Sequence, residues 1–160
     1  MQEHMPIIIE PPSDLADLEA IRGLFRAYAA SLGFSLEYQG FGDELADLPG
    51  KYAPPSGALL LARAGGEAAG TVALRRLEDD ICEMKRLYVR DEYRGRGIGR
   101  VLAEGVIVRA AKVGYTRMRL DTISTMSSAN SLYDSLGFAE IPQYRPNPIP
   151  GARYFELKLA

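Results

Sequence analysis

Residues 81–102 constrain the fold most. The run ICEMKRLYV (Ile81 to Val89) reads as a strand, and soon after it YRGRGIGRVL (Tyr93 to Leu102) sets Gly95, Gly97 and Gly99 among arginines and isoleucine before turning apolar at helical spacing. The spacing predicts a helix from about Gly97 to Val113, closed by Gly114. A helix ordinarily opens on a polar capping side chain, whereas this one opens on bare backbone. The first amides of a helix have no partner within it and sit at the positive end of its dipole, so anionic oxygens are stabilised there. Arg94, Arg96 and Arg100 add full charges at the same end. Together these features specify a phosphate or pyrophosphate site about one helical turn wide.

Spacing separates the phosphate loops that could be meant. A dinucleotide fingerprint begun at Gly95 requires glycine where Arg100 stands, and one begun at Gly97 requires it at Leu102. A P-loop requires Gly-Lys before Ser or Thr, but the only Gly-Lys pair, Gly50-Lys51, precedes Tyr52. The form that fits is Arg94-x-x-Gly97-x-Gly99.

The rest of the chain surrounds this unit with a mixed pattern. PIIIE (Pro6 to Glu10) is a short strand, and Ser13 is placed to cap a helix whose apolar stripe runs through Leu15, Leu18, Ile21, Phe25, Tyr28 and Leu32 to Gly33. An irregular stretch from Phe34 to Gly57 includes a short helix at Asp43 to Leu48. ALLLARA and AAGTVALRRL flank Gly65 and Gly66 as a hairpin. RMRLDTI is a further strand, SSANSLYDSL a short helix ending at Gly137, and ARYFELKL the last strand; AEIPQYRPNPIPG is too proline-rich for a central strand. The order predicts an α/β fold, one mixed central sheet flanked by helices, with residues 1–160 forming a single domain.

Composition narrows the chemistry. A formal net charge of -2 argues against a general nucleic-acid binder. No apolar run approaches the roughly 20 residues of a membrane span, and MQEHMPIIIEPP lacks the character of a secretion signal, so a cytoplasmic protein without membrane partners is expected. Cys82 is the only cysteine and reads as a buried, inert thiol in a strand. His4 is the only histidine and lies near the terminus, which removes Ser-His-Asp triads, Cys-His dyads and HExxH metal sites; no metal is expected.

With its strand, loop and helix in MKRLYVRDEYRGRGIGRVL, and with LYDSLGF (Leu132 to Phe138) downstream, the chain resembles the GNAT N-acetyltransferase superfamily over about residues 58–141. The resemblance implies acetyl-CoA as cosubstrate. Its pyrophosphate is expected on the loop Arg94, Gly95, Arg96, Gly97, Ile98, Gly99 and Arg100, and its pantetheine arm along the main chain of Leu87, Tyr88 and Val89, where the strand splays from its neighbour. Tyr133 matches the family's general acid for the departing thiolate, and Glu83 the position of a catalytic glutamate whose pKa burial would raise. Met126 stands where many members carry an asparagine that holds pantetheine. The acceptor is expected between the early helices and late loops, with Asp43 and Glu44 attracting an ammonium and Arg145 pairing with a carboxylate. These imply direct acetyl transfer to the primary amine of a small metabolite or amino acid. A non-catalytic acyl-CoA-binding module, an acceptor on a peptide or protein, and a homodimer through a sheet edge remain open.

Overall fold

The computed structural model describes residues 6–159; His4 lies outside them. Among these residues seven strands form one sheet, in the spatial order Ile7–Glu10, Ala58–Ala64, Glu67–Glu78, Ile81–Val89, Arg117–Ile123, Ala152–Lys158, Ala139–Ile141. Strand β1 (Ile7–Glu10) is an edge, followed by helix α1 (Leu15–Ser31), the short helix α2 (Phe41–Asp47), and then β2 (Ala58–Ala64), β3 (Glu67–Glu78) and β4 (Ile81–Val89). Helix α3 (Ile98–Val113) leads to β5 (Arg117–Ile123), α4 (Ser127–Ser135), β6 (Ala139–Ile141) and β7 (Ala152–Lys158). The mixed sheet and its flanking helices match the sequence expectation.

Local chemistry accounts for most boundaries. Asp14, rather than Ser13, caps α1: its carboxylate accepts from the Asp17 amide at 2.8 Å, while the Ser13 hydroxyl donates back to Asp17. Gly65 and Gly66 both adopt positive φ, as a two-residue turn between β2 and β3 requires. The unbroken apolar run of β2 is buried on both sides: Leu59 and Leu61 pack under α1, and Leu60 and Ala62 under α3. The short strand β6 falls at the outer edge, just before the prolines that bar that segment from a central position.

Two irregularities give β4 an open, kinked end. Its parallel ladder with β5 consists of Ile81↔Arg117, Cys82↔Met118 and Glu83↔Arg119, and goes no further. Beyond Glu83 the strands part, β4 continuing with β3 and β5 with β7. Between the pairs Ala73↔Lys85 and Thr71↔Tyr88 the register shifts, so Arg86 and Leu87 form a bulge, and Arg86 takes a φ of 62°. A non-glycine residue holds that conformation only where its surroundings enforce it. Here the guanidinium donates to both carboxylate oxygens of Glu44 on α2, at 2.9 and 2.8 Å.

Candidate active site

A groove of about 670 Å3 runs from the mouth of α3 along β4 to the fork between β4 and β5. Leu87, Tyr88, Val89, Arg94, Gly95, Gly97, Ile98 and Gly99, all expected at the cosubstrate site, line it. Gly97 is the N-cap of α3 at φ 78°, with no side chain closing the helix. The Val101 amide bonds the Gly97 carbonyl at 3.2 Å, so the amides of Ile98, Gly99 and Arg100 precede the first turn's bond. A Cβ on Gly99 would meet only ordinary contacts, 3.8 Å from Val89 and 3.9 Å from Leu132. Packing does not require that bareness, whereas a ligand pressed against the backbone does. The cradle therefore fits a diphosphate.

The arginines divide. The Arg94 Nε donates to the Val89 carbonyl at 3.0 Å, which takes up one of the main-chain groups expected for pantetheine. Arg96 and Arg100 do not line the groove: Arg96 lies over the Tyr93 ring, and Arg100 turns to Glu104 at 3.4 Å and to the Ser135 hydroxyl. For both, the side chain finds a partner on its own surface rather than at the helix mouth. Asn130 does not replace the missing asparagine either, since its Nδ2 donates to the Ile123 carbonyl at 3.0 Å. Met126 lines the groove at that point.

At the fork a small cavity of about 40 Å3 brings together Lys85, Gln39, Asp121 and Tyr133, and it shares Tyr28, Leu87 and Met126 with the groove. Tyr133 packs edge-on against Phe138 and tilted on Phe155, and burial holds its hydroxyl well above the usual tyrosine range, so it keeps its proton at neutral pH.

Glu83 departs from expectation. It is fully buried, and burial alone would raise its pKa, yet Lys85, Arg145, the Tyr144 hydroxyl and Arg75 outweigh that and hold it below the usual carboxylate range. Arg75 Nε donates to it at 2.9 Å and Tyr144 at 2.5 Å, and Arg145 lies 3.3 Å away. So surrounded, it is a paired anion rather than a base near neutrality.

The three acceptor residues are also engaged or misplaced. Glu44 is occupied by Arg86 and, at 3.5 Å, by Lys51. Asp43 is exposed and faces a separate hollow beside Lys51, away from the fork. Arg145 spans both oxygens of Asp121 at 3.0 Å, leaving it committed inside the protein. Cys82 is buried, its thiol pushed up to about 12 by burial.

Sequence reasoning missed Lys85, whose Nζ is buried and donates to Gln39 Oε1 at 2.8 Å, with Glu83 at 3.9 Å. Burial foremost, aided by Arg86 and Arg145 against Glu83, lowers its pKa to about 7. The signal was present: a lysine two residues from Glu83 on the same face of a largely buried strand.

Comparison with known proteins shows the family and the fold. The acetyltransferase (GNAT) family profile matches residues 21–138. An uncharacterised N-acetyltransferase of Schizosaccharomyces pombe is 41% identical over 146 residues, covering 90% of each chain. The N-acetylaspartate synthetase of Danio rerio is 33% identical over 110 residues, covering 68% of this chain and 39% of its own. Among solved structures, a GNAT-family acetyltransferase of Staphylococcus aureus superposes with a TM-score of 0.80 at 23% identity, over 97% of this chain and 100% of its own. A Salmonella typhimurium acetyltransferase, solved with acetyl-CoA, gives 0.69 at 20% identity over 96% and 94%. Among the described residues no helix is long and apolar enough to cross a membrane.

Proposed function

The chain belongs to the acetyltransferase (GNAT) family, and on that footing we propose that it transfers acetyl from acetyl-CoA directly to the primary amine of a small, amino-acid-like acceptor, with both substrates bound at once. The observation that carries this reading is the continuous path from the bare mouth of α3, along the open edge of β4, to a fork lined by Tyr133.

Acetyl-CoA supplies an activated thioester. The amides of Ile98, Gly99 and Arg100 receive its diphosphate, and the edge of β4 beyond Glu83, which has no ladder partner, receives the pantetheine arm as an added strand. Tyr133 gives its proton to the thiolate as charge develops there. The acceptor must lose a proton of its own, since an alkylamine of pKa roughly 10 is mostly charged at neutral pH. Burial at the fork disfavours a charged amine, as it does for Lys85, so the ammonium is destabilised as it enters. Glu83 serves as counter-ion to Arg75 and Arg145. The relative named N-acetylaspartate synthetase supports an amino-acid acceptor.

The test pairs amino acids with their decarboxylated amines and follows release of free coenzyme A. Amino acids are expected to turn over faster than their partners. The reverse order would reject the amino-acid acceptor, and absence of coenzyme A binding by calorimetry would reject the whole reading.

A further inference from the structure

The environment that strips a proton from an incoming amine already holds an amine of the protein's own. Lys85 Nζ sits in the fork cavity with Tyr133, and among the described residues it is hydrogen-bonded to Gln39 alone. An ammonium carries three donors, so as a cation this group would be poorly satisfied in a site only 5% exposed. The residues around it are Glu83 and Arg86 on β4, Asp121 on β5, Arg145 on the loop after β6, Gln39 on the turn before α2, Tyr28 on α1 and Tyr133 on α4. Glu83 is already shared by Arg75, Arg145 and Tyr144, and Asp121 by Arg145 and Asn147, so neither is free to fix a charge on Lys85. The neutral amine is stable here, and a neutral amine is a nucleophile.

The cavity is matched to what such a nucleophile would receive. Its roughly 40 Å3 holds about three water-sized groups, at about 10–15 Å3 each, and an acetyl group has three heavy atoms. It abuts the groove at Leu87, Tyr28 and Met126.

We propose that Lys85 is a self-acetylation site: with acetyl-CoA bound and the acceptor absent, the acetyl group passes to Lys85 Nζ. This rests on the chain being an acetyltransferase. The Nζ lone pair forms a bond to the thioester carbonyl carbon and the carbon–sulfur bond breaks. The departing sulfur takes the Tyr133 proton, and the proton shed by Nζ restores that hydroxyl, so free coenzyme A and acetyl-lysine are the only products. The amide N–H of the product still donates to Gln39, while its acetyl group fills the cavity and closes the acceptor's approach.

The experiment incubates the full chain with acetyl-CoA alone and reads intact mass, peptide maps and, on the same sample, coenzyme A binding by calorimetry. One acetyl increment mapping to Lys85 is expected. Its rate should rise with pH and level off above about 7, unlike non-enzymatic labelling of ordinary lysines, which keeps climbing towards pH 10. Tyr133→Phe should slow it about 100-fold, and both Lys85→Arg and Lys85→Met should abolish it while still binding coenzyme A. Binding without acetylation at Lys85, or labelling spread over exposed lysines, would overturn the inference and leave the acetyltransferase reading standing. Loss of coenzyme A binding in the native chain would overturn both.

Discussion

Tyr133 and Glu83 show how a side chain's surroundings decide its chemistry. Tyr133 keeps a proton because its ring is buried among Phe138 and Phe155 while its hydroxyl belongs to the fork. On the role proposed for it, removing that hydroxyl withdraws the proton donor alone, so Tyr133→Phe is expected to lower kcat about 100-fold with coenzyme A affinity changed less than about twofold, in steady-state kinetics beside calorimetry. Equal losses in both would place the residue in binding instead. Tyr133 was legible because its motif is local, LYDSLGF. Glu83 was legible as a position but not as a chemistry, for its pKa is set by burial and by Lys85, Arg145, Tyr144 and Arg75 together, and Arg145 and Tyr144 lie about sixty residues away along the chain. The pairing of Arg145 with Asp121, which withdraws it from the acceptor, is non-local in the same way. No spacing rule reports a contact made by tertiary folding.

Among the elements, the mouth of α3 and the bulge of β4 carry the site, and each makes its own prediction. A Cβ at Gly99 meets only the side chains of Val89 and Leu132, at 3.8 and 3.9 Å, and both of those residues line the groove. Gly99→Val should therefore change unfolding free energy by less than about 1 kcal/mol while weakening coenzyme A about 100-fold, roughly 3 kcal/mol, which separates cradle from scaffold in paired denaturation and binding curves. The bulge depends on an ion pair: with both Glu44 and Arg86 nearly buried, Glu44→Gln leaves a guanidinium without its counter-charge. A loss of about 3 kcal/mol is expected in urea unfolding, and retained stability would mean that Arg86 holds its φ without α2. Helices with strong periodicity, such as α1 and α3, were readable from the sequence, as were the unbroken apolar run of β2 and the glycine loop. The bulge was not, because positive φ at an arginine is imposed by its partner rather than encoded by its type. The three-residue β6 was hidden by the prolines that come after it.

Stability of the whole molecule should register the buried lysine. The folded chain releases the Lys85 proton near pH 7, whereas an unfolded lysine holds it to about 10.5. Between those values the unfolded state binds more protons, so stability rises with pH, by up to about 1.4 kcal/mol per unit. Denaturation curves from pH 7 to 9 should show that rise in the native chain and a flat line in Lys85→Met; a native chain without the slope would mean that Lys85 stays charged. Over the same sheet, β1 to β4 form one half and β5 to β7 another, stitched by the residue pairs at Ile81, Cys82 and Glu83. A seam so short makes the two halves poor at restraining each other, and an arm lying along the open edge of β4 would act as a splint across it. Coenzyme A should then slow amide hydrogen exchange in Leu120–Ile123, residues outside that short ladder, so that the cosubstrate completes the architecture as well as the reaction.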